Sequence, residues 1–440
     1  MKVTGNKDTN SSSNTNVYVI SAEGKGSIIK LTGDKTIIKG TDSNIRLGLE
    51  AKDDAVLQMT GGTITVSKTG VHFFNSHSTE NKLENVTVTQ ATNAVFADNN
   101  STIMITGGSF NAKEATIYAQ KSSTITLNNA QITSGNAGLY AKDSKSTITM
   151  TGGNITGQFA ALSAENGGHI IVTNVTLTAE GDRIDTKPDG PNTHITITNR
   201  FGSLSQGSNS VIELLGDTKI NDSKIGLGAK NDGVISMTGG SIKATIAGVK
   251  FENSKKKENK LENVTISNNK ENALLLNGIA ADKSTVALTN VTVKQAENAI
   301  FANNESTITV SGGSFDAKGA TIFSENNSIV TLTNIDQITS SEYTGLYAKN
   351  GGAISMTGGN IKALYSGAAF ENSNDEKNKL ENVIISSIKD DTRLNVGVSA
   401  NKSTVALINV TVKQAENAIS ANNESTITVS GGSFAAKGQQ

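Results

Sequence analysis

The chain of 440 residues contains no cysteine and no tryptophan, and it has only two prolines. Without cysteine it cannot form a disulfide scaffold, a thiolate metal site or a cysteine nucleophile. Aromatic residues make up 4% of the chain, so rings on which bases or sugars could stack are scarce. The lack of disulfides and the low proline content also suit a chain that is exported unfolded through a narrow pore.

Hydropathy and charge exclude two further classes of protein. No segment approaches the ~18 consecutive apolar residues that a membrane-spanning helix needs. The net charge is −1, and only four of the 39 basic residues are arginine, which argues against a nucleic-acid-binding protein. The hydrophobic fraction of 35%, together with 43 glycines, lies in the range of folded globular proteins.

Long internal repeats dominate the sequence. The segment Lys283–Gly319 recurs almost letter for letter at Lys402–Gly438. A looser copy begins earlier, because Met59–Gly62 and Met237–Gly240 share the letters MTGG. Such self-similarity is typical of solenoid folds, in which each repeat packs only on its neighbours.

A shorter period of about 23 residues runs inside these repeats. One motif has an apolar residue, any residue, then alanine or serine and a polar turn; its leading residues are Leu49, Val95, Ile117, Leu139, Leu162, Leu227, Ile279, Ile300, Ile322, Leu346, Val398 and Ile419. A second motif, apolar-x-apolar-Thr/Ser-Gly-Gly, passes through pairs such as Ile103/Ile105, Ile148/Met150 and Ile308/Val310. The shared period indicates one structural unit that repeats along the chain.

The segment Ser306–Asn327 shows how one such unit would fold. Ile308 and Val310 alternate with threonines, which is the period-two pattern of a strand with one buried face. Gly312 and Gly313 permit a sharp bend, and two more short apolar stretches follow. Three short strands and three turns in about 22 residues predict one coil of a parallel β-helix.

We therefore predict an all-β fold, a right-handed single-stranded parallel β-helix of roughly 18 coils of about 23 residues over residues 28–440, after a polar leader at residues 1–27. Leucine-rich repeats, left-handed hexapeptide helices and propellers fit less well, because a helical return, a six-residue step and a blade of about 40 residues are missing. The interior should contain columns of aliphatic and phenylalanine side chains. Asparagines that precede an apolar residue, such as Asn85, Asn263 and Asn409, are predicted to form ladders in which their amides bond the coils above and below.

No arrangement in the sequence indicates catalysis or metal binding. The Gly-Asp-Ser-Gly motif of serine proteases is absent, acidic pairs such as Asp53/Asp54 and Asp390/Asp391 lie in turn contexts, and His72 and His77 lack a carboxylate-rich set of neighbours. Calcium-binding nonapeptide repeats are also missing. We expect a protein that is not an enzyme and that uses no cofactor or metal.

Loops that interrupt the period are the strongest candidates for binding, since regular coils repeat their surface and these loops do not. Three occupy equivalent positions before the letters LENV, at residues 75–82, 253–260 and 372–379. The middle loop is basic, and its predicted partner-binding residues are Lys255, Lys256, Lys257 and Lys260. A solvated lysine run without a partner is the alternative.

A fourth loop, near residues 179–194, contains both prolines and has no repeat partner. Proline cannot donate a ladder hydrogen bond, so this segment is predicted to protrude from the stack. Its predicted partner-binding residues are Asp182, Arg183, Lys187 and Asp189.

The strings GLYAKD (Gly138–Asp143), GLYAKN (Gly345–Asn350) and SMTGGSIKA (Ser236–Ala244), with the LENV repeats, resemble the passenger domains of bacterial type V autotransporters. The similarity is greatest to the repeat-rich passengers of Bartonella and covers nearly the whole chain from about Ile28. It implies a β-helix that is secreted or displayed at the bacterial surface, exported through a C-terminal β-barrel that this sequence does not contain. The group includes pro-angiogenic members, and no functional motif of the family maps onto single residues here.

The expected function is therefore that of a secreted virulence factor that binds a host cell-surface receptor. The resemblance implies a vascular endothelial growth factor receptor as the specific partner. An adhesin for sulfated glycans or extracellular matrix is the alternative, and a polysaccharide lyase or hydrolase is a further one. Neither nucleic-acid binding nor membrane insertion of the mature fragment is expected.

Overall fold

The computed structural model confirms the predicted fold class, an all-β parallel β-helix with coils of about 23 residues. It describes residues 2–4, 17–40, 45–180, 184–186, 195–197, 200–373, 376–389 and 391–436. The chain divides into two units, Met1–Ser223 and Lys224–Gln440. Among the described residues none is helical, and none therefore forms a helix long and apolar enough to cross a membrane.

Each coil contributes strands to three parallel sheets, which we call face 1, face 2 and face 3 in chain order. In the first unit, face 1 contains Ile28–Thr32, Val56–Thr60, Lys82–Glu84, Thr102–Thr106, Thr124–Asn128, Thr147–Thr151, His169–Thr173 and Val211–Leu215. Face 2 contains Lys2–Thr4, Ile37–Gly40, Thr63–Val66, Thr87–Ala91, Ser109–Ala112, Gln131–Ser134, Asn154–Gly157 and Thr176–Ala179. Face 3 contains Val17–Glu23, Ile45–Lys52, Thr69–Phe74, Asn93–Asp98, Ile117–Ala119, Ala137–Lys142, Ala160–Glu165 and Phe201–Gln206. The strand Lys219–Lys230 contains residues of both units.

Several strands of the second unit continue around a corner from one face to the next. The strands confined to face 1 are Val234–Thr238, Lys260–Glu262, Thr285–Thr289 and Thr307–Ser311, and those confined to face 2 are Thr265–Asn268 and Ser314–Ala317. Face 3 contains Leu275–Asp282, Ile322–Glu325, Thr344–Lys349, Ser366–Glu371 and Leu394–Asn401. Strands that turn a corner are Ser241–Glu252, Thr292–Asn303, Ile329–Ser340, Ala353–Ala363, Lys379–Ser387, Thr404–Asn422 and Thr426–Ala436. The described residues make about 16 turns, fewer than the 18 predicted, because the interrupting loops use residues that add no coil.

The interior consists of columns in which equivalent residues of successive coils stack on each other, as predicted. On face 1 of the first unit, Ile103 pairs with Ile125 and Ile125 with Ile148, and all three are buried. On face 2, Phe110 pairs with Ile132 and is 1% exposed. Removing such a buried side chain from water stabilises the fold by about 1.5–3 kcal/mol, so the columns are the main stabilising element.

The corner between faces 1 and 2 is built by residues with positive φ. Some coils place a Gly-Gly pair there, such as Gly107 (φ 61°) and Gly108 (φ 85°), and others place an asparagine, such as Asn85 (φ 52°). A Cβ added to Gly107 would lie 2.3 Å from Oδ1 of Asn85. Each such glycine therefore leaves room for the amide of the coil before it, and asparagine is used because it tolerates the left-handed region.

The predicted amide ladder at this corner is wrong for most of its members. Among the described residues it forms one amide-to-amide link, from Asn290 Nδ2 to Asn263 Oδ1 (3.2 Å), because in most coils the next residue in the column is a glycine with no side chain. Asn174 also bonds the next coil, since its Oδ1 accepts from the backbone N–H of Asp217 (2.8 Å). Amide ladders occur instead at the turn that closes face 3. There Asn75 donates to Asp53 (2.8 Å), Asn304 to Asp282 (2.9 Å) and Asn326 to Asn303 (2.8 Å).

A second close contact occurs near the start of the face-3 strands, at an inward-facing position that we call the entry slot. At nine coils a glycine stands there, and a Cβ on it would lie 2.2–2.9 Å from a γ-methyl of an isoleucine or valine in the next coil; these glycines are Gly48, Gly70, Gly138, Gly226, Gly248, Gly278, Gly345, Gly367 and Gly397. Where the same slot holds alanine, as at Ala94 and Ala299, the residue in the next coil is Phe110 or Phe315. At these nine coils the branched Cβ of the next coil thus excludes a side chain from the slot. Thr116, before Ile132, and Thr321, before Ile338, are exceptions in which a threonine occupies the same position.

Candidate functional site

The three equivalent loops share one anchoring device, a buried asparagine that closes each of them. In the middle loop, Asn259 Oδ1 accepts from the backbone N–H of Ile235 (3.1 Å), and its Nδ2 donates to Ser254 Oγ (2.7 Å) and to the carbonyl of Thr285 (3.3 Å). Asn81 and Asn378 make the same set of bonds in the other two loops. Each amide thus replaces backbone hydrogen bonds between coils where the chain leaves the sheet.

The lysines predicted to bind a partner lie on this middle loop. Lys255, Lys257 and Lys260 are exposed, and Lys256 is half-buried. Lys255 forms a long ion pair with Glu305 (3.8 Å), and both side chains are more than half exposed. An exposed pair of this kind contributes at most about 1 kcal/mol, so these ammonium groups remain accessible to a partner.

The other predicted binding residues, Asp182, Arg183, Lys187 and Asp189, lie outside the described residues. Two short strands of that segment are described, Ile184–Thr186 and Ile195–Ile197, and they pair with each other in antiparallel fashion. This pairing differs from the parallel ladders of the three faces.

A stack of aromatic rings runs along the outer surface of face 3 in the first unit. His72, Phe96, Tyr118 and Tyr140 follow one another with ring centroids 5.0, 4.8 and 4.8 Å apart and interplanar angles of 17°, 17° and 25°. This spacing equals the separation of neighbouring strands. Because the rings cover each other's faces, the stack shows mainly ring edges to solvent, and each contact adds about 0.5–1.5 kcal/mol to stability.

The second unit contains a matching stack at the same slot. Phe301, Phe323 and Tyr347 are 5.3 and 5.0 Å apart. In both units the last tyrosine donates its hydroxyl hydrogen bond to a glutamate one coil later, Tyr140 to Glu165 (2.7 Å) and Tyr347 to Glu371 (2.6 Å). Burial, reinforced by these bonds, raises the pKa of both phenols, and burial raises the pKa of Tyr118 to about 12.

A groove of about 290 Å³ lies beside the stack of the first unit. Its aromatic lining consists of Tyr118 and Tyr140 from the stack and of Phe159, whose ring packs edge-on against Phe201. The polar groups that line it include Glu114, whose carboxylate accepts from Asn136 Nδ2 (3.3 Å). Carboxylate oxygens, side-chain amides and ring surface are therefore presented together.

The equivalent groove of the second unit has a volume of about 420 Å³. Its lining repeats the same chemistry, with Phe323 and Tyr347 from the stack, and Asn298, Glu297, Glu342 and Lys318 as polar groups. Tyr343 forms part of the lining; it is 43% exposed and lies parallel to Tyr365, which is 49% exposed, at 5.9 Å between centroids. Unlike the rings of the stack, these two rings are open to solvent.

Sequence reasoning missed both grooves. The aromatic stack occupies the "any residue" position of the first repeat motif, directly after leading residues such as Val95, Ile117, Leu139 and Ile322. The recurrence of Phe or Tyr at that position is the signal that could have found it. Low overall aromatic content concealed it, because only six of the 18 Phe and Tyr residues form the two columns.

The described residues contain no group of three or more His, Cys, Asp or Glu side chains that could hold a metal ion. His72 Nδ1 contacts Glu50 (2.9 Å), and His77 Nδ1 contacts Asp54 (2.6 Å), so each imidazole has a single carboxylate from the preceding coil. The hydrogen bond from His77 lowers the pKa of Asp54. Neither pair contains the further ligands that a metal site requires.

Comparison with known proteins gives one family match. A family model described as periplasmic copper-binding protein (NosD) matches residues 7–177, less than half of the chain. Among curated proteins, none matches. In this region the chain is thus similar to the NosD family, and its parallel β-helix is compatible with that similarity.

The donors of the described residues do not fit the copper named in that family description. Copper prefers imidazole, thioether and thiolate ligands, and the chain has no cysteine. Met59 and Met150 are at most 1% exposed and belong to the hydrophobic interior. Met104 is 45% exposed, but the described residues contain no cluster of three or more His, Asp or Glu side chains that could complete a site with it. The Nδ1 atom of His72 forms a hydrogen bond with the carboxylate of Glu50, and its Nε2 atom is buried without a hydrogen-bond partner in the described part of the chain.

Proposed function

We propose that the chain is a non-enzymatic β-helical adhesin that acts outside the cytoplasm and holds carbohydrate in its two face-3 grooves. The observation that carries this proposal is that the two units build similar grooves from different residues: each is lined by stacked rings, one further aromatic ring, asparagine and glutamates. The similarity to a periplasmic family over residues 7–177 supports export.

The lining matches the chemistry of a sugar better than that of an apolar ligand. Sugar hydroxyls both donate and accept hydrogen bonds, and the grooves offer carboxylates that only accept and amides that do both. Ring surfaces at Phe159 and Tyr343, which line the grooves, and at Tyr365, which stacks beside Tyr343, can cover the apolar C–H face of a pyranose. Binding sites commonly combine a mostly apolar concave surface with a few placed polar groups.

A glycan array probed with the full chain tests this proposal, followed by titration of the best neutral oligosaccharide. We expect Phe159→Ala combined with Tyr343→Ala and Tyr365→Ala to weaken binding at least about tenfold, since ring contacts contribute about 1 kcal/mol or more each. Met104→Ala and Leu276→Ala remove exposed apolar side chains outside the grooves and serve as matched controls. No binding to any neutral glycan, or equal effects of both variant sets, would exclude carbohydrate binding by the grooves.

A second candidate function is docking to a protein receptor through the three anchored loops. It is favoured by the common anchor at Asn81, Asn259 and Asn378, which fixes three loops of different sequence at the same corner of their coils. The resemblance to Bartonella passengers makes a vascular endothelial growth factor receptor the first receptor to test, within the role of a secreted virulence factor.

Receptor docking is tested by exchanging loops while keeping their anchors. Replacing Lys255–Glu258 by four alanines leaves Ser254 and Asn259 in place. If this loop contacts the receptor, the exchange should abolish capture of the receptor ectodomain and receptor phosphorylation in endothelial cells. Unchanged signalling would remove this loop from the contact, and absence of any signalling by the unmodified chain would reject the receptor function.

A further inference from the structure

Face 2 of the second unit carries four lysines in one outward-facing column. Lys243, Lys294, Lys362 and Lys413 are all exposed. The residue before each, namely Ile242, Val293, Ile361 and Val412, is at most 1% exposed. Because successive side chains of a strand point to opposite sides, the four ammonium groups share the outer surface of this sheet.

The strand register places these lysines in a single line. Lys243 pairs with Ser267, Asp316 with Thr339, Thr339 with Lys362 and Lys362 with Ser386. The pairs Ile266–Val293, Val293–Phe315 and Ile385–Val412 extend the line through Lys294 and Lys413. At about 4.8 Å per coil, successive lysines are separated by about 10, 14 and 10 Å.

Little in the column neutralises this charge. None of the four lysines forms an ion pair with a described residue. Asp316 is the single carboxylate of the line, and partial burial raises the pKa of its carboxyl group. It lies in a groove of about 480 Å³ whose lining also includes Lys294, Gln295, Gln337 and Thr292, so hydrogen-bonding groups flank the charges.

The first unit supplies an internal comparison. The corresponding column of its face 2 reads Lys39, Thr65, Thr89, Asn111, Thr133, Thr156, Thr178 and Asn221. That column contains one lysine where the second unit has four. In both units, however, the residue before each column position is a buried Ile, Val, Leu or Phe. The lysines are therefore not required by the fold.

We propose that this basic column binds a linear sulfated polysaccharide along face 2 of the second unit. Sulfate groups repeat along such a chain and meet lysines that repeat along the sheet, while Ser, Thr and Gln side chains meet its hydroxyls. The column contains no arginine and no aromatic ring for base stacking, which disfavours nucleic acid. It also lacks the apolar side chains that would enter a lipid bilayer. This site is separate from the face-3 grooves and from the Lys255–Lys260 loop.

The test measures heparin binding by the full chain and by two variants of equal charge. The column variant is Lys243→Thr, Lys294→Thr, Lys362→Thr and Lys413→Thr; the loop variant is Lys255→Thr, Lys256→Thr, Lys257→Thr and Lys260→Thr. Threonine is chosen because it is the most frequent residue in the corresponding column of the first unit and because it favours β-strands. Circular dichroism checks that each variant keeps the fold. We expect the column variant to bind heparin at least about tenfold more weakly, since four ion pairs are lost together, with a reduced dependence on salt.

The remaining arms separate the alternatives. Desulfated heparin should bind weakly to all three proteins, and a single-stranded oligonucleotide or anionic vesicles should not compete at matched charge. Loss of heparin binding in the loop variant alone would overturn the column proposal, and equal loss in both variants would reduce it to a net-charge effect. Tighter binding of the oligonucleotide or of the vesicles would assign the column to that ligand and reject the polysaccharide.

Discussion

The glycine in the entry slot should depend on the residue one coil later, and Gly248 gives the sharpest test. A Cβ at Gly248 would lie 2.2 Å from Cγ2 of Ile266 and 2.6 Å from the carbonyl oxygen of Gly278. Its φ lies outside the left-handed region, so steric overlap is the whole cost. Forcing an extra methyl group into a packed core costs about 1–3 kcal/mol, and we expect Gly248→Ala to lower the free energy of unfolding by that amount.

The second substitution should restore the part of this loss that the contact with Cγ2 of Ile266 causes, whereas the contact with the carbonyl oxygen of Gly278 remains. Ile266→Leu moves the branch from Cβ to Cγ and removes the γ-methyl that collides, and by itself it should cost less than about 1.5 kcal/mol. Gly248→Ala combined with Ile266→Leu should therefore be more stable than the sum of the single effects by about 1–2 kcal/mol. The slot tolerates alanine where the next coil has no branched Cβ, as Ala94 before Phe110 shows.

The assay is a double-mutant cycle by urea denaturation, supported by hydrogen exchange in the coils around Gly248, because solenoids can unfold locally. Gly26→Ala is not a suitable control, since Gly26 has a φ of 88°. Ala299→Gly is better, because it removes a methyl from the same slot before a phenylalanine. Additive single effects would show that the Cγ2 contact does not set the choice of glycine.

Two further predictions concern buried hydrogen bonds and the aromatic stack. Asn259→Ala should cost about 3 kcal/mol, since it leaves the N–H of Ile235 and the carbonyl of Thr285 without partners; hydrogen exchange of Ile235 measures the loss, and the exposed Glu258→Ala should change stability by less than about 0.5 kcal/mol. Burial raises the pKa of Tyr118 to about 12, so the unfolded chain ionises first and stability should fall as pH rises from about 10. Tyr118→Phe should reduce that decline, and an unchanged alkaline unfolding curve would contradict it.

The coil itself could be predicted because its signals are local. Ile308 and Val310 are fully buried, and Thr307 and Thr309 between and before them are exposed, as the period-two pattern requires. The Gly-Gly bends were predicted for the same reason, since a positive φ is a property of a single position. Such features need only the residues within one strand or turn.

The surface columns could not be predicted as readily, because they depend on which residues of successive coils stand side by side. Lys243 and Ser267 are paired neighbours, and so are Lys362 and Ser386, although each coil has its own length. A bulge between Val293 and Ala296 shifts the register again. The amide ladder predicted at Asn85 does not form for a related reason: the residue opposite Asn85 in the next coil is Gly107, which only the register reveals.

The same register argument predicts that the basic column can be moved to the first unit. The lysines of the second unit stand at the first, third, sixth and eighth positions of an eight-coil line. In the first unit, the line from Lys39 to Asn221 also spans eight coils and begins with a lysine. Thr89→Lys, Thr156→Lys and Asn221→Lys would complete the pattern on outward-facing sites.

Because these side chains lie on the outer side of face 2 and are partly exposed, the fold should accept them with small changes in stability. In the variant lacking the four column lysines, the three substitutions should recover at least about half of the heparin binding free energy that was lost, since they restore the same spacing of charge. A control with Thr32→Lys, Thr60→Lys and Thr151→Lys carries equal charge at exposed positions on face 1. Equal recovery by this control would show that total charge, and not the line of lysines on face 2, determines binding.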